Sequence, residues 1–184
     1  IFEVLKKQGY QIVVLSGQDE SFGEIAKESG AESASDIFFD ARSAKNDRVF
    51  SSTAQGSLTL SNARLIQQFD EIAVKLDWSR PIFLYINFQA AHFPYYHSQM
   101  PLTITSSALP REKISEDYRE KLKLTYLNAV AYSDWATGEI VARLKKLGVY
   151  ERSLIAVSGD HGESLFEDGY LGHGFKIGDR QMHT

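Results

Sequence analysis

The chain has 184 residues, no cysteine and a net charge of −4 with neutral histidines. That length allows one domain with a sizeable core. The missing cysteines exclude a disulfide framework and a thiolate metal site, and the acidic balance argues against a general nucleic-acid binder. An anionic substrate stays open, because a bound metal would supply local positive charge. No run of 18 apolar residues reads as a membrane span and no signal peptide is recognisable.

In chain order, residues 1–9 read as the second half of an amphipathic helix closed by Gly9. The chain therefore reads as a piece of a longer protein, with room upstream for a membrane anchor. The β-branched run at residues 10–15 (YQIVVL) predicts a parallel strand. Ser21 and Glu24 form a capping-box pattern for a helix over 22–29, and Asp19 reads as a solvated loop carboxylate. The Ile37-Phe38-Phe39 patch is expected to tuck onto the core. Arg42, Lys45 and Arg48, interspersed with Asp40 and Asp47, read as a solvated face. Thr59 or Ser61 is placed to cap a helix reaching Leu76, with Ala63, Ile66, Phe69, Ile72, Ala73 and Leu76 at helical spacing.

Residues 81–88 (PIFLYINF) predict a second buried strand, read as central to the sheet. His92 follows it, ahead of Phe93-Pro94-Tyr95, while His97 reads as a surface or rim residue. Residues 98–116 form a long loop of the kind that often rims a substrate site. A helix over 117–147 follows, with Leu124, Leu127, Ala131, Trp135, Gly138, Ile140, Val141 and Leu144 as its expected buried stripe. Strands alternate with helices, which defines the α/β class: a mostly parallel central sheet sandwiched by helices, incomplete on its N-terminal side.

The chemistry concentrates near the end of the chain, in LIAVSGDHGESLFEDGYLGHGFK. Leu154-Ile155-Ala156-Val157 predicts a strand buried on both faces. Asp160 and His161 follow at its carboxyl end, where open α/β sheets place their ligands. One hard oxygen and one borderline nitrogen suit Zn²⁺ or Mn²⁺ better than Ca²⁺ or Mg²⁺. Glu163 is placed to accept a hydrogen bond from a ligating imidazole and fix its tautomer. Glu167 and Asp168 read as a solvated loop face.

These residues resemble the metal-binding segment of the alkaline-phosphatase superfamily, in its sulfatase-like branch, which holds sulfatases, phosphoethanolamine transferases and lipoteichoic acid synthases. The motifs that carry the likeness are Asp160-His161-Gly162-Glu163, Leu171-Gly172-His173-Gly174 and His92-Phe93-Pro94, with Asn128, Tyr132 and Asp134 matching a structural helix of the family. The resemblance implies that residues 1–184 are part of a catalytic domain. It assigns Asp160 and His161 to a catalytic divalent metal. His92 and His173 become catalytic or substrate-binding residues, and Lys176 a substrate contact. The implied activity is hydrolysis or transfer of a phosphate or sulfate ester, on a small molecule, a lipid head group or a glycan. The Asp-His pair leans toward phosphorus, since many sulfatases carry Asp-Asn there.

In such a family the nucleophile and the first acidic ligand precede the matching region, and Ser51, Ser52 and Thr53 lie outside their context. This polypeptide alone is thus expected to bind metal weakly and turn over little. Two alternatives are a catalytically silent domain that binds a lipid or glycan head group, and a phosphomutase-like member of the superfamily. An extracytoplasmic location is implied by the resemblance only.

Overall fold

The computed structural model describes residues 1–50, 59–174 and 178–182. Its main sheet has three parallel strands in the order β2-β1-β3: β1 (Gln11–Ser16), β2 (Ile37–Phe39) and β3 (Ile82–Asn87). Every residue of β1 is buried, as expected for the middle strand of a covered sheet. The Ile37-Phe38-Phe39 patch is thus a strand, paired with Val13, Val14 and Leu15. β3 is not central: among the described residues it is an edge, with Tyr85 39% exposed.

Short polar clamps hold the register. Asp36 Oδ2 accepts from Ile12 N–H at 2.8 Å. Gln11 donates through Nε2 to Asp77 O and accepts at Oε1 from Asp77 N–H, tying the start of β1 to the turn before β3.

Alternating side chains of β1 serve two layers. Ile12 and Val14 pack against Phe2 of α1 (Phe2–Lys7) and against Ala31 and Ala34 of α3 (Ala31–Ala34). Val13 and Leu15 pack against Leu65, Phe69 and Ile72 of α4 (Asn62–Ala73) and Ala136, Ile140 and Leu144 of α5 (Arg119–Lys146). Full burial of one such Leu or Phe stabilises the fold by roughly 1.5–3 kcal/mol. The α/β sandwich is therefore present as expected. Ser61 caps α4, its Oγ accepting from Arg64 N–H at 3.2 Å.

Several local expectations fail, each for a physical reason. The helix over 22–29 is broken: Gly23 and Glu24 both take positive φ (59° and 58°), leaving a 3-10 turn and the short α2 (Ile25–Glu28). Ser21 caps nothing, because its N–H and Oγ donate to Asp19 Oδ1. Asp19 itself is 4% exposed, with Arg42 Nε 3.6 Å away, and Asp40 is buried against the same guanidinium at 2.7 Å. Asp19, Asp40 and Arg42 thus form an inward ion cluster, while Lys45 and Asp47 are exposed as expected. His97 is also buried, at 5% exposure.

The apolar run Leu154–Val157 forms no strand; Leu154 is 99% and Val157 73% exposed. Its composition marks burial, but no described strand lies beside it to complete a ladder.

α5 buries Ile140 and Leu144 as expected, but up to Ala136 it buries a different face from the one expected. Leu122, Thr125, Asn128, Ala129, Tyr132, Ala136, Ile140 and Leu144 point inward, and Leu124, Leu127 and Trp135 outward. The inward face is partly polar because it anchors the long loop. Asn128 Oδ1 accepts from Thr103 and Ile104 N–H, and its Nδ2 donates to Pro101 O. Thr125 Oγ1 accepts from Leu109 N–H at 2.8 Å. Loop residues Tyr95, Met100 and Leu109 then form a second core with Leu122, Ala129, Tyr132 and Leu165, against which Phe93 and Leu171 also pack.

Candidate active site

Two loops bring three imidazoles together. The first leaves β3 and turns at His92, whose N–H donates to Gln89 O. The second runs through Asp160 and His161 into a small antiparallel hairpin, β4 (Ser164–Leu165) with β5 (Leu171–Gly172). In that hairpin Ser164 faces Gly172, so the next pair outward is Glu163 and His173. The register thus sets the contact: His173 Nδ1 lies 3.1 Å from Glu163 Oε2. Gly172 allows this with φ 92°, a backbone that side-chain-bearing residues rarely adopt.

The ring centroids of His161 and His173 are 3.8 Å apart, and those of His92 and His173 6.2 Å. Each ring has its Nδ1 committed to an oxygen. For His92 it is Phe93 O at 3.0 Å, for His161 Gly162 O at 2.9 Å, and for His173 the Glu163 carboxylate. A carbonyl or carboxylate oxygen can only accept, so Nδ1 carries the proton and Nε2 the lone pair in each neutral ring. Three Nε2 atoms are left for a ligand. His161 Nε2 is 3.8 Å from Asp160 Oδ2, whose side chain is 91% exposed.

The donor set fits a divalent cation. His161, Glu163 and His173 can each direct one ligand atom so that the three lie within 4.8 Å of one another. Asp160 flanks the same His161 nitrogen. His/carboxylate sets of this kind suit zinc or manganese. Beside them opens a groove of about 970 Å³ lined by Tyr126, His161, Glu163, Asp168, Tyr170 and Arg180, among others.

Of the residues expected from sequence, Asp160, His161, His92 and His173 meet at this corner. Lys176, with Ser51, Ser52 and Thr53, lies outside the described residues. Glu167 is not a free surface group: Leu165 N–H donates to it at 2.6 Å and Lys123 approaches at 3.7 Å. Sequence reading missed Tyr95, Tyr126 and Tyr85. Burial raises all three phenols. Glu163 adds to the effect on Tyr95 and Tyr126, and Glu20 and then Asp160 on Tyr85. Nothing in their local sequence separates them from core aromatics.

An imidazole cluster with adjoining carboxylates thus lies at the carboxyl side of a parallel α/β sheet, where such folds place their ligands. The sulfatase family model matches residues 1–183, and the chain belongs to that family. It is 32% identical to mouse iduronate 2-sulfatase over 62 residues, which are 34% of this chain and 11% of that protein. In fold it is similar to the lipoteichoic acid synthase LtaP from Listeria monocytogenes, with a TM-score of 0.55 and 18% identity over 80% of this chain and 33% of that one. A protein of the alkaline phosphatase superfamily from Vibrio parahaemolyticus aligns over 79% of this chain and 31% of its own, at 21% identity and a TM-score of 0.47. The chain thus spans a third or less of these relatives.

Proposed function

We propose that this chain forms part of a metal-dependent hydrolase or transferase acting on a phosphate or sulfate ester. The observation that carries the reading is the convergence of three imidazoles with their Nδ1 atoms all committed, leaving Nε2 free on each. Family membership supports the ester class.

In this reading Asp160 and His161 hold the divalent ion, which when bound would neutralise charge on the ester oxygens and lower the pKa of an attacking hydroxyl. Glu163 is the weaker candidate ligand, because its Oε2 already accepts from His173. In their doubly protonated form His92 and His173 donate Nε2–H to the non-bridging oxygens of the anion, and either ring can then pass that proton to the leaving group. Low-polarity walls from Tyr95, Tyr126 and Leu165 limit water behind His173 and strengthen each charge interaction there.

The attacking hydroxyl comes from outside residues 1–184 in this reading. The serines flanking the corner are engaged elsewhere: Ser158 Oγ donates to Gly159 O and Ser164 Oγ to Tyr170 O. Family resemblance also favours a site of action outside the cytoplasm.

The reading is tested by titrating the Zn²⁺-supplemented chain with inorganic phosphate and with sulfate while following the histidine ring signals. Joint movement of His92 and His173 is expected, and the anion that acts at lower concentration names the ester class. Unmoved rings with both anions would contradict the assignment.

A further inference from the structure

We infer that Tyr95 is a positioning residue for the site: through the outer oxygen of Glu163 its hydroxyl holds the carboxylate that fixes the His173 ring. The inference rests on reading His173 as a site imidazole and extends it to a residue with no expected role.

Tyr95 is wholly buried, at 0% exposure, and takes a left-handed backbone with φ 65°. A non-glycine residue holds that conformation only where its surroundings over-determine it. Here they do so through aromatic edges: Phe93 at 5.7 Å and Tyr126 at 5.5 Å between ring centroids. The Tyr95 N–H donates to His92 O at 2.8 Å, so one tight turn carries both His92 at the site and Tyr95 beneath it.

The buried end of Tyr95 meets Glu163. The Glu163 side chain is only 7% exposed. Its Oε2 serves His173, while its Oε1 is buried without a well-formed hydrogen bond, and the Tyr95 hydroxyl is in the same state. Tyr126, whose ring centroid lies 5.5 Å from that of Tyr95, lines the same groove as Glu163, and the Glu163 carboxylate adds to burial in raising the Tyr95 phenol. A buried carboxylate oxygen and a buried hydroxyl each carry a desolvation penalty when left unpaired. Rotation of the hydroxyl with a small side-chain shift pairs them and removes both costs. The tyrosine then donates to Oε1, Oε2 accepts from His173 Nδ1–H, and His173 Nε2 stays free toward the site. His92 and His173 become linked through the shared turn.

The test reads the ring, not turnover. In ¹⁵N-histidine-labelled chain without metal, at a pH where the imidazoles are neutral, the His173 nitrogen shifts report its tautomer. The wild type is expected to be almost entirely Nδ1–H. Glu163→Leu should lose that bias, and Tyr95→Phe, which keeps the aromatic ring, should raise the Nε2–H fraction several-fold. His92 and His161, tied to carbonyls, should stay unchanged and report an intact fold. A His173 tautomer in Tyr95→Phe equal to wild type would overturn the inference. If either variant fails to fold, the wild-type chain decides alone. A solvent-protected Tyr95 hydroxyl proton shifted downfield supports the bond, and a freely exchanging one overturns it. Metal and anion binding are measured separately, so failure of the proposed function leaves this result standing or falling by itself.

Discussion

The rings of His161 and His173 lie 3.8 Å apart at an interplanar angle of 37°. Groups this close do not act independently, since they share neighbours and any ligand placed between them. Replacing His161 by alanine is expected to weaken Zn²⁺ binding directly and replacing His173 to weaken it through the shared corner, and the double variant should lose less than the sum of the single losses. An interaction energy of at least about 0.5 kcal/mol in a double-mutant cycle, measured by calorimetry, is the expected outcome. Additive losses would place the two rings at separate sites.

His97 gives the fold an acid-sensitive point away from that corner. Both ring nitrogens are buried without a hydrogen-bond partner, beside the Phe50 and Tyr132 rings. Burial pushes the imidazole down to about 4. The unfolded chain takes up this proton near pH 6.5 and the folded chain only near 4, so between those values the unfolded state binds more protons. The contribution is therefore complete above pH 6.5 and lost as the pH falls toward 4, amounting to about 3 kcal/mol. His97→Phe should remove that loss. Denaturant unfolding of both proteins at pH 7 and pH 4 checks it, through a gap that widens in the variant's favour on acidification.

Asn128 fastens the long loop between β3 and α5. It is fully buried and makes three hydrogen bonds to the backbone of residues 101–104. Asn128→Ala strands two N–H groups and one carbonyl, a loss of about 3 kcal/mol. Thermal unfolding measures it. Hydrogen exchange should show the loop amides of Thr103 and Ile104 losing protection first.

The layered fold was legible from sequence because its main signals are local. β-branched runs mark β1 and β3, and the 3.6-residue spacing of Ile66, Phe69 and Ile72 marks α4. The meeting of His92, His161 and His173 was legible only through motif resemblance, since they lie up to 81 residues apart in sequence. What remained hidden depends on partners distant in sequence. Thr125 looks like a surface residue of α5 until the loop over 98–116 folds onto it, and Asn128, expected as a structural contact, gives no local sign of which backbone it holds. His97 looks exposed until Tyr132 and Phe50 cover it. Residues 154–157 have a strand's composition, but composition cannot state whether a neighbouring strand is there to pair.

The most direct test of the account is calorimetric Zn²⁺ titration of the chain and of Asp160→Ala and His161→Ala. Saturable binding is expected, weakened at least about tenfold by each substitution, the scale at which losing a group around a metal is felt. Equal affinity in all three proteins would contradict it.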